Sequence, residues 1–190
     1  MILYPTETVY GLGVNAFDAE TLSALYDLKG RGAEKSVSIF VRSIEDIERY
    51  AYLEPVARVL VENFMPGPLT LVLKARDVVP RFLVASDGTL GFRISSDIIA
   101  QKVISDFMEK YDAPLTCTSA NVSGEDTPAT VSEILKQFGD EASVVNKIYD
   151  DGSRSGKSST VVKVVDGKVV ILRTGEISEN DTYRVLEKNY

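Results

Sequence analysis

Two valine-rich runs toward the C-terminal end, at 160–165 and 169–172, are separated by Asp166-Gly167. A connection that short can only fold one strand back beside the other, and Asp-Gly readily takes the left-handed angles of a two-residue hairpin turn. The pair is therefore antiparallel. Upstream, short runs rich in Val, Ile, Leu or Thr at 2–4, 37–41, 69–74, 90–94 and 115–118 predict further strands. Helical patterns lie between them. Asp18 can cap a helix reaching Lys29, with Leu22, Leu25 and Tyr26 on one face. Ser43-Ile44-Glu45-Asp46 opens a short helix, and 56–64 reads as helical up to Pro66-Gly67-Pro68. The segment 98–111 is amphipathic, Thr130 and Glu133 fit a capping box for a helix ending near Gly139, and Ser178 begins a last helix to about Glu187. Alternation of this kind, closed by a hairpin, predicts an α/β fold: a twisted sheet, mixed parallel and antiparallel, flanked by helices.

The 190 residues match one ordinary domain, and 44% hydrophobic residues suffice for a core, so a single domain over 1–190 is expected. No apolar run approaches the length of a membrane span, and the first residues lack the basic and apolar stretches of a secretion signal. A cytoplasmic protein without a membrane partner is the reading. With one cysteine, Cys117, and no histidine, an internal disulfide is excluded and a Cys/His zinc site is not expected. Catalysis through a Ser-His-Asp or Cys-His arrangement is excluded as well. A net charge of −7 opposes indiscriminate nucleic-acid binding but leaves room for local basic clusters at Lys29, Arg31 and Lys35 and at Arg154 and Lys157.

Two distant segments carry the chemistry. Tyr4-Pro5-Thr6-Glu7-Thr8-Val9-Tyr10-Gly11-Leu12-Gly13 is followed, sixteen residues beyond Gly13, by Lys29-Gly30-Arg31. Thr118-Ser119-Ala120-Asn121-Val122-Ser123-Gly124 follows the strand at 115–118. Hydroxyls, glycines that let backbone N–H groups approach closely, and paired cations suit a polyanion such as a nucleotide triphosphate. Each piece also has a plain structural reading. Lys29 and Gly30 make an ordinary helix C-terminus, with the cation facing the dipole and glycine as cap. Pro66-Gly67-Pro68-Leu69-Thr70 is a rigid turn into a strand on which Lys74 shares a face with Thr70. Cys117 reads as a small buried apolar residue without a base. Gly156-Lys157-Ser158 is not a P-loop: position 151 is Asp rather than Gly, and a strand follows instead of a helix.

Together these segments resemble the YrdC-like family, whose best-known members are threonylcarbamoyl-AMP synthases of the TsaC type. The residues carrying the resemblance are Pro5 to Gly13, Lys29 and Arg31, Pro66-Gly67-Pro68-Leu69-Thr70, Ser119 and Asn121, Ser159-Thr160-Val161-Val162, and Arg173-Thr174-Gly175. Each motif is weak alone; six in this order are specific. The resemblance implies a YrdC-like fold with a concave nucleotide site. It implies that L-threonine, bicarbonate and ATP give threonylcarbamoyl-AMP and pyrophosphate. Mg2+ is expected with ATP, held mainly by the substrate phosphates. A separate transferase complex would then carry the group to the adenosine beside the anticodon of ANN-decoding tRNAs, with a transient tRNA contact possible. By position, Lys29, Arg31, Ser119 and Asn121 match the catalytic signature. Arg31, Lys35, Thr70, Ser119, Thr127 and Arg173 match nucleotide contacts. Thr8, Lys74, Cys117 and Ser159 match the threonine pocket. No residue is expected to act as a dedicated metal ligand. Phe40 stands where the longer branch of the family has a histidine.

Two other classes compete. An RNA-binding module could use the Lys29, Arg31 and Lys35 concavity, but the net charge of −7 and the lack of a broad basic stripe argue against that as the main role. A carbamoyl-adenylate domain of hydrogenase maturation usually accompanies cysteine-rich zinc segments, and this sequence has none.

Overall fold

The computed structural model describes residues 1–32, 36–154 and 156–189. In chain order the strands are β1 (Ile2–Tyr4), β2 (Gly11–Gly13), β3 (Ser38–Phe40), β4 (Leu69–Lys74), β5 (Thr89–Arg93), β6 (Leu115–Ser119), β7 (Lys147–Ile148), β8 (Thr160–Val165) and β9 (Lys168–Arg173). The helices are α1 (Ala19–Lys29), α2 (Ile44–Tyr50), α3 (Pro55–Phe64), α4 (Ile98–Tyr111), α5 (Val131–Phe138) and α6 (Glu179–Asn189). Among the described residues the strands join one sheet in the order β7-β1-β2-β6-β3-β5-β4-β8-β9. Pairs β1–β7, β3–β5 and β4–β8 are parallel and the rest antiparallel, so the mixed α/β class is as the sequence indicates. The hairpin turn is the two residues Asp166 and Gly167, at φ 52° and 71°. Both angles are positive, as its residue types favour.

The sheet has two unlike faces. Along β4, Leu69, Leu71 and Leu73 are fully buried, and along β8, Val162 and Val164 are too. These alternate residues pack into the same core cluster as Leu25 of α1, Leu60 of α3 and Ile104 of α4, and α6 lies on α3. Each buried Leu or Val contributes about 1.5–3 kcal/mol relative to exposure. The intervening residues, Thr70 on β4 and Val161 on β8, point the other way, toward a cleft.

Local signals set the helix ends that matter for the site. The Asp18 carboxylate accepts from the N–H groups of Glu20 and Thr21. At the far end, Gly30 at φ 57° donates to Asp27 O and Arg31 N donates to Tyr26 O, a Schellman closure. That turn delivers Lys29 and Arg31 to opposite surroundings. Thr130 and Glu133 form the capping box of α5. Three features were not foreseen: β2 pairs between β1 and β6, α3 begins one residue earlier with Pro55 in its first turn, and β7 pairs beside β1.

Gly175 shows how tightly the cleft rim is built. A Cβ there would lie 2.0 Å from the Ser158 carbonyl oxygen and 2.6 Å from the Ser159 carbonyl carbon. Neither is a movable side-chain end. Gly175→Ala is therefore expected to destabilise the protein by about 2–4 kcal/mol, read as a lowered melting temperature; an unchanged melting temperature would contradict the packing described.

Candidate active site

Lys29 lies behind the cleft. It is 2% exposed, and its Nζ donates to Ser119 O at 2.5 Å, Asn121 O at 2.6 Å and Asn121 Oδ1 at 3.4 Å. The Lys29 carbonyl accepts from Ser123 N at 2.7 Å. The end of α1 is thus stitched to the loop after β6. Within that loop Ser119 Oγ donates to Asn121 Oδ1 at 2.5 Å, and Asn121 Nδ2 donates to Val122 O and Glu125 O at 2.9 and 2.7 Å. Burial, and then the nearby Arg31 charge, pulls the Lys29 ammonium down to about 7. Arg31 and Ser119 line the cleft, and Arg31 Nη2 donates to Ser36 O at 2.7 Å. The four residues of the sequence motif therefore divide: Arg31 and Ser119 in front, Lys29 and Asn121 holding the loop from behind.

A second group gathers around Arg93, which the sequence reading passed over. Arg93 ends β5, is 5% exposed, and lines the cleft. Its Nη2 donates to Glu7 Oε1 at 2.7 Å and to Thr8 Oγ1 at 2.8 Å, while Ser95 Oγ donates to Glu7 Oε2. Its Nε, fully buried, has no partner among the described residues. Thr6 Oγ1 lies 3.0 Å from Thr8 Oγ1 and donates to Val9 O at 2.6 Å. The Phe40 ring faces the guanidinium at 5.5 Å, a cation–π contact. Burial pushes the Cys117 thiol up to about 11, so it lines the cleft as a neutral group. The available sequence signal was a guanidinium set between Phe92 and Ile94 in an otherwise apolar run, since a charge is buried only where it is paired or used.

Lys74 does not join this group. It shares a strand face with Thr70, but four residues of strand span about 13 Å. The side chain is exposed at the far end of β4, where Nζ donates to Asp87 O at 3.4 Å. Same-face alternation placed it correctly on the open side of the sheet and left out the distance along the strand.

A third group forms where β4, β8 and β9 meet. Thr70 Oγ1 is 2.9 Å from Ser159 Oγ, and Arg173 Nη2 donates to Ser159 O at 2.9 Å and Ser159 Oγ at 3.2 Å. The segment leading into β8 crosses the β1–β2 turn. Arg154 Nε donates to Thr6 O at 3.1 Å, Gly156 N to Thr8 O at 3.2 Å, and Tyr10 Oη to Gly152 O at 2.7 Å. These bonds bring Ser158 and Ser159 over the cleft. Thr127 lies in the loop after Glu125 and is not among the lining residues. Lys35 lies outside the described residues.

The cavity so enclosed is about 230 Å³. Among the described residues its lining holds three arginines, Arg31, Arg93 and Arg173, with eight Ser and Thr residues and no carboxylate. In a chain of net charge −7 this is a local concentration of donors and positive charge. It suits an anionic substrate in a site where hydrogen bonds gain strength from low dielectric. Among the described residues no helix is long and apolar enough to cross a membrane.

Comparison with known proteins identifies the family and the fold. A family model named for Sua5, YciO and YrdC, and described as "Telomere recombination", matches residues 1–175. A putative threonylcarbamoyl-AMP synthase of Methanocaldococcus jannaschii is 36% identical over 93% of this chain and 80% of its own. The crystal structure of Pyrococcus abyssi Sua5 complexed with L-threonine superposes with a TM-score of 0.85 at 34% identity, covering 97% of this chain and 53% of that one. This chain thus spans about half the length of the Pyrococcus protein. Escherichia coli YciO superposes with a TM-score of 0.79 at 26% identity, over 95% of this chain and 85% of that one.

Proposed function

The chain belongs to the Sua5, YciO and YrdC family, and on that footing we propose that it is a threonylcarbamoyl-AMP synthase acting in tRNA modification. L-Threonine, bicarbonate and ATP give threonylcarbamoyl-AMP, pyrophosphate and water. The observation that carries the reading is the carboxylate-free lining of three arginines and clustered hydroxyls around one cavity. The solved Pyrococcus Sua5 with L-threonine supports it.

Two substrates divide the cleft. Arg93, which lines the cleft, receives the α-carboxylate of threonine; Cys117 and Ser159 line the surroundings of its side chain, while Thr8, not among the lining residues, acts by holding Arg93 Nη2. Arg93 therefore takes the role that the sequence assigned to Lys74. The triphosphate lies toward Arg31, Ser119, Thr70 and Arg173. The amine of threonine and bicarbonate form a carbamate with loss of water. A carbamate oxygen bonds to the α-phosphorus, the bond from that phosphorus to the bridging oxygen breaks, and its electron pair leaves on pyrophosphate. Negative charge grows on phosphate oxygens, so arginine and hydroxyl donors aimed at them lower the barrier with little proton transfer. Lys29 and Asn121 act one layer back by keeping Ser119 in place.

Mg2+ accompanies ATP in this reading. The cleft supplies hydroxyl oxygens of Thr70, Ser119 and Ser159 and no carboxylate among its described lining, a donor set that fits an ion carried mainly by phosphate oxygens. When bound, it would neutralise charge on the departing pyrophosphate. The product passes to a separate transferase complex acting on ANN-decoding tRNAs.

Pyrophosphate release tests the proposal. Release is expected only when ATP, L-threonine and bicarbonate are all present. Release from ATP alone, or salt-sensitive RNA binding by a folded protein that releases none, would overturn it.

A further inference from the structure

Resting on the threonine reading of the cleft, we infer that Glu7 and Ser95 are positioning residues for this reaction: they fix the guanidinium of Arg93 in the pose that receives the amino acid's carboxylate. Neither lines the cavity. Glu7 stands behind Arg93 on the turn between β1 and β2, and Ser95 follows β5 by two residues. One Glu7 oxygen accepts from Arg93 Nη2 at 2.7 Å and the other accepts from Ser95 Oγ. Ser95 is 1% exposed and its Oγ also accepts from Asp97 N at 3.2 Å, which ties it to the start of α4.

An arginine side chain has several rotatable bonds, and burial does not choose among its poses. Here Nη2 is committed to Glu7 and Thr8, one face of the guanidinium meets the Phe40 ring, and the buried Nε has no partner among the described residues. Such a guanidinium is held by one edge in a residue that lines the cleft. The Glu7 charge has a second consequence. Arg93 and Glu7 together are neutral, so this end of the cleft offers directed donors without the free positive charge that would draw the triphosphate from Arg31 and Arg173. Carboxylate and phosphate are thereby met by differently charged groups: a paired guanidinium at Arg93, and cations without a carboxylate in the lining at Arg31 and Arg173. The carboxyl of Glu7 stays ionised for this role: burial raises its pKa, but Arg93 and the Ser95 hydroxyl more than offset that and leave it lowered.

The test uses the full chain with Glu7→Ala, Glu7→Gln and Ser95→Ala. Glu7→Ala is expected to raise the KM for L-threonine about 10–100-fold while kcat at saturating threonine and the KM for ATP stay within about 3-fold. Glu7→Gln keeps one acceptor at the same reach but loses the charge, and is expected to recover only part of that loss. Ser95→Ala should raise the threonine KM about 3–10-fold, and it serves where Glu7→Ala fails to fold. An unchanged threonine KM in both, or KM values for both substrates rising together, would overturn the positioning role. The 15N signal of the Arg93 Nε–H group is read alongside. It is expected to be sharp in the wild type and broadened in Glu7→Ala or Ser95→Ala; a signal that stays sharp overturns the inference whatever the enzyme does. A wild-type chain that shows this broadening on substitution, but never turns threonine over, condemns the functional reading and leaves the pose of Arg93 established.

Discussion

Lys29→Met is expected to lower kcat about 100–1000-fold, because the lost ammonium positions a catalytic loop and a misplacement of about 1 Å costs on that order. Methionine keeps the length and most of the volume of the stem, so the change isolates the donor. It leaves Ser119 O and Asn121 O without their 2.5 and 2.6 Å partner, and each orphaned buried carbonyl costs about 1–3 kcal/mol. The pH dependence tests the burial of the Lys29 ammonium on which this account rests. Its folded pKa, about 7, lies below its ordinary 10.5. The folded chain therefore holds this proton less tightly than the unfolded one. The cost of burying the cation is present in full below about pH 7 and fades as pH rises from about 7 to 10.5. Wild-type stability, measured as the difference from Lys29→Met so that other titrations cancel, should rise across that window by up to about 5 kcal/mol. A flat or falling difference, or a variant with near-normal kcat, would contradict the arrangement.

Arg93→Lys is expected to raise the KM for L-threonine about 100-fold, although the charge is retained. The planar fork is what reaches Glu7 and Thr8 through Nη2 and still leaves further N–H donors for a carboxylate, and an ammonium on a shorter reach cannot do both. Lysine is the informative substitution because removing the charge would strand Glu7 as a buried anion, at a cost of about 3–5 kcal/mol. Lys74→Ala, at the exposed end of β4, should change the same KM less than about 2-fold, since exposed cations outside the cleft contribute little. Reversed magnitudes for the two would return the threonine carboxylate to Lys74.

What could be read in the sequence was local. Asp166-Gly167, the Asp18 cap, the Gly30 closure and the Thr130–Glu133 box are each written within a few residues, and each forms as read. The two site segments were legible as hydroxyl- and glycine-rich ends of strands, and β2 and β6 pair through Gly11 with Ser119 and Leu12 with Thr118. The rest depends on long-range packing. Lys29 was legible as a helix-terminal cation, but its burial comes from a loop ninety residues on. Strand β7 consists of two residues that pair with β1 across the chain and carry no local signature. Arg93 was hidden inside a run counted as apolar, and Lys74, placed with the threonine pocket by resemblance, lies exposed at the far end of β4, a distance that strand alternation does not give.

The most direct measurement is the mass of the adenylate formed from ATP, L-threonine and 13C-bicarbonate. Threonylcarbamoyl-AMP carrying one 13C, produced together with pyrophosphate and absent when threonine is omitted, is the outcome that follows from the cleft described. An adenylate without the label, or one formed equally well without threonine, would contradict it.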